Sequence, residues 1–249
     1  MQLAAKPETP VLLAALAGGR VHRSAYVLDA WPYHLRRLSV FARGMQLRPC
    51  FVAMRESFEE LAVMAPKVPF VHLPFGADLD VFVPGGGGRD IFAFSMGRLH
   101  EPIHAALREY CEQRNLKYVV SQGGAITDPA ELGRLVGRAR YFVVTPPDLD
   151  HPERSGRFSP LVMRYLEGLA GGARLLGTLP RSGEFETMLP RESILEIAAD
   201  GSDLARRLDH DARDDSGFAA TAAATALVRA HHGWQHRAAT IAEVLGGLD

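Results

Sequence analysis

A chain of 249 residues, 47% hydrophobic and 23% charged, has the make-up of an ordinary globular protein and is long enough for one large domain or two small ones. Its formal net charge of −1 supplies no global field for nucleic acid or an acidic membrane surface. Two cysteines, Cys50 and Cys111, lie far apart with no CxxC pair and no zinc-like spacing to histidine. That argues against a disulfide framework or a metal site and for a reducing, cytoplasmic setting.

At the amino terminus, VLLAALAGG (Val11 to Gly19) follows KPETP. It is too short to cross a bilayer and lacks the basic flank of a signal peptide, so it reads as a first strand or helix. Beyond it, short apolar runs alternate with helix-like stretches: AYVLD (25–29), CFVA (50–53), FVHL (70–73), IFAFS (91–95), YVVS (118–121), YFVVT (141–145) and ARLLG (173–177). Helices are expected over 32–43, 55–64, 102–114, 129–138, 160–170, 202–213 and 217–231. Continuous apolar strands separated by helices mark a parallel α/β sheet covered on both faces, whose ligands sit at the carboxyl ends of the strands.

Within this pattern LPFGADLDVFVPGGGGRD (Leu73 to Asp90) reads as a hinge or interdomain linker, because its glycines are flexible and its prolines stop elements. Gly85 to Gly88 lack the lysine and serine or threonine of a phosphate loop. The helix near 129 has a strong start, with Asp128 as cap, Pro129 in the first position and Glu131 closing a capping box.

The segment SPLVMRYLEGLAGGARLLGT (Ser159 to Thr178) carries the most chemistry. Ser159 is read as a helix cap, Pro160 as the first helical residue, and Gly171 and Gly172 as a left-handed stop. A helix start offers free N–H groups and a partial positive charge that suit a phosphate, and the carboxylate of Glu167 suits the two hydroxyls of a ribose. The alternative is an ordinary surface helix with Glu167 solvated.

In order, GADLDVFVP, FSMGRL, QGG, a strand ending in TPP, LEGLAGGARLLGT, SGEFE and HHGW resemble the carboxyl-terminal, donor-binding half of the GT-B glycosyltransferases, especially the retaining family 4 type. The resemblance covers Leu73 to Leu245. It implies a GT-B-like α/β fold with a Rossmann-like parallel-sheet domain and a truncated first Rossmann-like lobe. Residues 1–74 would form the shortened acceptor-side lobe, 75–232 the nucleotide-sugar donor domain, and 233–249 a terminal helix packing back on the first lobe. Gly76, Asp78, Phe82 and Pro84 would be hinge and packing residues, and Trp234 a packing anchor.

The site implied by the resemblance has Arg98, after Gly97, on the donor diphosphate and Glu167 on the ribose. Ser159, Pro160 and Leu161 would line the donor site at the helix start, with Gly183 in a further donor loop. Asp29, at a strand end in the small lobe, is placed to orient an acceptor hydroxyl with Trp31 stacking on a sugar. The alternative makes Asp29 a helix cap and Trp31 an interlobe contact. Two departures stand out, since the family's E-x7-E pattern has Ser159 for its first glutamate, and LHEPIH replaces the segment with the usual lysine. His104, Arg154 or Arg157 are the available sources of the missing positive charge.

The implied activity is transfer of a sugar from a nucleotide-diphosphate donor to an unidentified acceptor, with retention, no metal and no cofactor beyond the donor substrate. The alternatives are a non-catalytic nucleotide-sugar-binding subunit that partners a complete transferase, and a nucleotide-sugar epimerase. A protein partner or a second copy is expected to complete the cleft, with no transmembrane segment and no bound nucleic acid.

Overall fold

The computed structural model describes residues 23–122, 126, 128–214 and 216–247. The element expected over Val11 to Gly19, and Gly123 and Gly124 of the QGG motif, lie outside these described residues. In the first lobe β1 (Ala25–Val27) leads through a 3-10 turn (Pro32–His34) into α1 (Leu35–Gly44), followed by β2 (Cys50–Val52), α2 (Arg55–Met64) and β3 (Phe70–His72). These strands pair in parallel in the order β1-β2-β3, with Cys50 between Ala25 and Phe70.

The second lobe runs through β4 (Ile91–Met96), α3 (Glu101–Gln113), β5 (Tyr118–Ser121), α4 (Pro129–Arg138) and β6 (Ala139–Val144). Two short helices, α5 (Pro147–Asp150) and α6 (Pro152–Ser155), precede α7 (Met163–Ala170) and β7 (Arg174–Gly177). The chain then forms α8 (Glu184–Met188), β8 (Ile194–Glu196), α9 (Leu204–Asp211), α10 (Ser216–His231) and α11 (Trp234–Gly246). All five strands are parallel, in the order β5-β4-β6-β7-β8.

Each apolar run picked out in the sequence contains a strand. Alternate residues of β4 and β6 face opposite sides, so Phe94 and Phe142 join one core while Ala93 and Tyr141 join another. The first core is continuous between the lobes, taking in Val27, Trp31, Met54 and Phe75 together with Phe94, Phe142, Leu161 and Tyr165. Arg237 of α11 is buried and donates to the carbonyls of Pro74 (2.8 Å) and Phe75 (3.0 Å). The Trp234 ring meets Tyr26 of β1 edge to face at 6.3 Å.

Several local expectations change. The helix expected from 160 begins at Met163, and its N-cap, Val162, makes no side-chain cap bond. Ser159 is no cap, because its buried Oγ accepts instead from the Arg181 N–H at 3.0 Å. Gly172, at φ +73°, forms the left-handed stop, whereas Gly171 stays at φ −77°. Asp128 does cap α4, accepting from the Ala130 N–H at 3.0 Å, but Glu131 turns to Arg134 at 3.7 Å. Trp31, not Asp29, occupies the N-cap of the 3-10 turn.

The segment between the lobes is packed rather than free. Asp78 folds it locally by accepting from the N–H groups of Asp80 (3.1 Å) and Val81 (3.2 Å). At Gly76 a Cβ would stand 2.9 Å from the Trp234 nitrogen, and at Gly85 a Cβ would stand 2.5 Å from the Gly137 carbonyl oxygen. Glycine is needed there for close approach of backbones. Among the described residues no helix is long and apolar enough to cross a membrane.

Candidate functional site

Between the lobes, beyond the carboxyl ends of β1 to β4, lies a cavity of about 240 Å³. The first lobe lines it with Asp29, Trp31 and Met54, the segment between the lobes with Phe75, and the second lobe with Arg98, Arg154, Val162, Met163, Arg164 and Glu167. This is the position at which parallel α/β sheets bind ligands.

Arg98 reaches the cavity because β4 stops at Met96 and Gly97 turns the chain, at φ +80° and with its N–H donating to the Ser121 carbonyl at 2.8 Å. The guanidinium of Arg98 has no hydrogen bond or ion pair among the described residues. Burial and the neighbouring Arg164 guanidinium lower its pKa from the usual arginine value.

Glu167 lies one helical turn after Arg164 on α7, so both face the same cavity. Burial pushes its carboxyl up to about 7, with Asp78 adding to the rise and Arg164 opposing it. No described group hydrogen-bonds that carboxyl. One unpaired cation and one unpaired acceptor therefore share the cleft.

Arg164 is held from behind. Its Nη2 donates to Asp150 at 3.0 Å and its Nη1 to the carbonyls of Arg98 (3.2 Å) and Met96 (3.4 Å). The Asp150 side chain is fully buried and also accepts from the Thr145 hydroxyl at 2.7 Å. On the opposite wall Asp29 accepts from Arg154 at 3.1 Å, and Arg154 lies over the Trp31 ring at 5.0 Å. Two of the three guanidinium groups are thus neutralised by a carboxylate, and Arg98 is not.

A buried polar layer joins the lobes behind this cavity. Glu56 of α2 accepts from the Ser159 N–H at 2.7 Å, and His72 of β3 comes within 3.0 Å of Glu184. Burial, aided by the nearby Glu184 and Asp148, pushes the Glu56 carboxyl up to about 7. Oε2 of Glu56 and Oδ1 of Asp148 are buried without a hydrogen-bond partner, and Oε1 of Glu184 has only the His72 Nε2 contact. The other Asp148 oxygen pairs with Arg181 at 2.7 Å.

The fold brings Asp29, Arg98 and Glu167 to one cavity, while Gly97 precedes Arg98 without lining it. Ser159, Pro160 and Leu161 are instead buried in the segment leading to α7, outside the cavity lining, and the Leu161 N–H donates to Glu184 at 3.4 Å. Gly183, at φ +72°, opens α8 and does not line the cavity either. His104 is buried on α3 against the Tyr118 hydroxyl, and burial lowers its pKa to about 4, so it brings no positive charge to a phosphate at neutral pH. Arg157 is exposed and pairs with Glu60.

Among the residues that the sequence did not single out are Arg164, Asp150, Met54 and Phe75 at the cavity and Glu56, His72 and Asp148 behind it. The spacing of Arg164 to Glu167 is the one local signal that places it beside a candidate ligand. Among the described residues no cluster of three or more histidine, cysteine, aspartate or glutamate side chains could hold a metal ion.

No protein-family profile matches the chain, and neither does any curated protein sequence. Among solved structures, it is similar to sucrose-phosphate synthase from Thermosynechococcus elongatus at a TM-score of 0.58 and 14% identity, covering 90% of this chain and 67% of that one. It is also similar to a chain of the accessory secretory protein 1, 2 and 3 structure from Streptococcus pneumoniae, at a TM-score of 0.50 and 12% identity over 89% of this chain. There the match spans 49% of the other chain, about half its length. Likeness at this level of identity shows the fold, a GT-B-like α/β architecture with two parallel sheets flanking a cleft.

Proposed function

We propose that the protein is a glycosyltransferase that takes its sugar from a nucleotide-diphosphate donor. The observation that carries this reading is the single cavity shared by the unpaired guanidinium of Arg98 and the unpaired carboxyl of Glu167. A guanidinium binds phosphate oxygens through parallel N–H groups and stabilises the charge that develops as the nucleotide leaves. Ionised Glu167 accepts hydrogen bonds from both hydroxyls of a ribose, and its raised pKa makes that capture pH-dependent around neutrality. Asp29 faces the donor from the first lobe and orients the acceptor hydroxyl once it is released from Arg154.

In this reading residues 1–74 are the acceptor side, 75–232 the donor domain and 233–249 the returning helix. Transfer proceeds with retention and without a metal, and a second protein or a second copy of this chain completes the acceptor side. A second reading, a nucleotide-sugar-binding subunit without turnover, is favoured by the Asp29–Arg154 pair, which occupies the first-lobe carboxylate.

A thermal-shift screen against UDP, GDP, ADP and their sugars tests both readings, because a ligand that binds only the folded protein raises its Tm. At least one nucleotide is expected to stabilise the wild type, and Arg98→Ala and Glu167→Ala are each expected to lose that response. No response from any nucleotide rejects the donor site. Binding without transfer or donor hydrolysis selects the second reading.

A further inference from the structure

We propose that Arg164 is a second ligand-binding cation of this cleft, contacting the same diphosphate as Arg98 while its other N–H groups hold the Gly97–Arg98 turn in place. This rests on the diphosphate reading of the cavity.

Arg164 sits in the cavity wall with only 13% of its side chain exposed, fixed by Asp150 and by two main-chain carbonyls. Those bonds use Nη1 and one N–H of Nη2. The Nε–H and the remaining Nη2–H have no protein partner among the described residues, and Nε is not sealed in the interior. A buried arginine left with spare donors at a cavity is unusual, since guanidinium carries five N–H groups and desolvating them unpaired is costly.

The side chain is also preorganised. Asp150, itself held by Thr145, fixes the plane of the guanidinium, so little rotamer freedom remains to be lost on binding. Arg98, which has no such support, lies close enough for the two positive charges to repel. An anion between them relieves that repulsion. A ligand with two phosphate groups offers each guanidinium its own oxygens, so the geometry selects diphosphates over monophosphates.

The test measures binding of inorganic pyrophosphate, of UDP, GDP and ADP, and of the matching monophosphates by calorimetry. Arg164→Lys keeps a charge for Asp150 but removes the fork of donors. It is expected to fold and to weaken pyrophosphate and diphosphate binding about tenfold, as losing a charge-assisted hydrogen bond does. Monophosphate binding should change less. The paired variant Asp150→Asn/Arg164→Gln removes both buried charges together and should show a loss at least as large.

The same loss should persist in an Arg98→Ala background. If it vanishes there, Arg164 acts only by holding Arg98, and the proposal is wrong. Unchanged affinity in Arg164→Lys also rejects it. Pyrophosphate binding without any nucleoside diphosphate binding would keep the paired-arginine site and discard the nucleotide donor, whereas binding of neither discards both.

Discussion

The strands of the first sheet are three residues long, whereas β4 and β6 of the second sheet run to six. The second sheet carries a core on each face, while the described residues of the first lobe contribute to the core it shares with its neighbour. This division of burial matches the division of labour in the cleft. The second lobe supplies Arg98, Arg164 and Glu167, groups that must be held at fixed positions against the cost of desolvation. The first lobe supplies Trp31 and Met54 of the apolar wall and the exposed Asp29, whose partner Arg154 comes from the second lobe. The second lobe sets the partly buried charges Arg98, Arg164 and Glu167, and the first adds apolar shape.

The largest test of that dependence is Gly177→Ala. A Cβ there would stand 1.7 Å from the Val144 carbonyl oxygen, which forces β6 and β7 apart. A loss of about 4 kcal/mol or more is expected, as for severe steric defects in a core. Urea unfolding followed by tryptophan fluorescence should show both lobes melting together at lower denaturant. A first lobe that survived would mean that it folds alone.

Trp31→Ala attacks the shared core from the other side. The ring is 2% exposed, so truncation should cost about 3 kcal/mol through lost transfer energy and a residual cavity. Equilibrium unfolding gives the value, and a single transition with unchanged slope would show that the lobes remain one cooperative unit.

Glu56→Gln probes the polar layer between the lobes. The folded-state pKa of Glu56 is raised to about 7, above its ordinary 4.5, so the native protein binds the proton more tightly than the unfolded chain. Its contribution is fully present below about pH 4.5 and is lost as the pH rises through about 7. The glutamine keeps an acceptor for the Ser159 N–H and carries donors that can meet the unpaired oxygen of Asp148. At pH 8 the variant should be more stable than wild type by about 2 kcal/mol, with little difference at pH 5. Equal pH dependence of Tm in the two proteins would remove Glu56 as the source.

The smallest effect belongs to Arg157→Ala. Its partner Glu60 lies across the lobes, but the arginine is 70% exposed, and such surface pairs contribute less than about 1 kcal/mol. Tm and the nucleotide response should both stay within error of wild type. A marked drop in either would return Arg157 to the site.

The amino-acid sequence by itself determined the parallel α/β class. Runs such as IFAFS and YFVVT are apolar at successive positions, short and bounded by helix-like stretches, as strands covered on both faces are. It also determined the start of α4, since the Asp128 cap and Pro129 act within three residues. That Arg98 and Glu167 face one cavity was legible, because each sits in a short pattern at a strand end or on a helix. β8 was not, being three residues long and following a 3-10 turn.

Tertiary structure alone decided the rest. The hydroxyl of Ser159 had a local helix to cap but found Arg181 further along the chain, while its N–H found Glu56 from the other lobe. His104 follows Arg98 by only six residues, yet α3 turns it into the core while Arg98 is left in the cleft. Arg164 became a site residue only when Asp150 and the end of β4 closed around it. Local pattern sets which backbone state each segment prefers. Which polar group is desolvated, and with what partner, depends on segments distant in sequence, and that burial decides which arginine or glutamate is left facing the cleft without a partner.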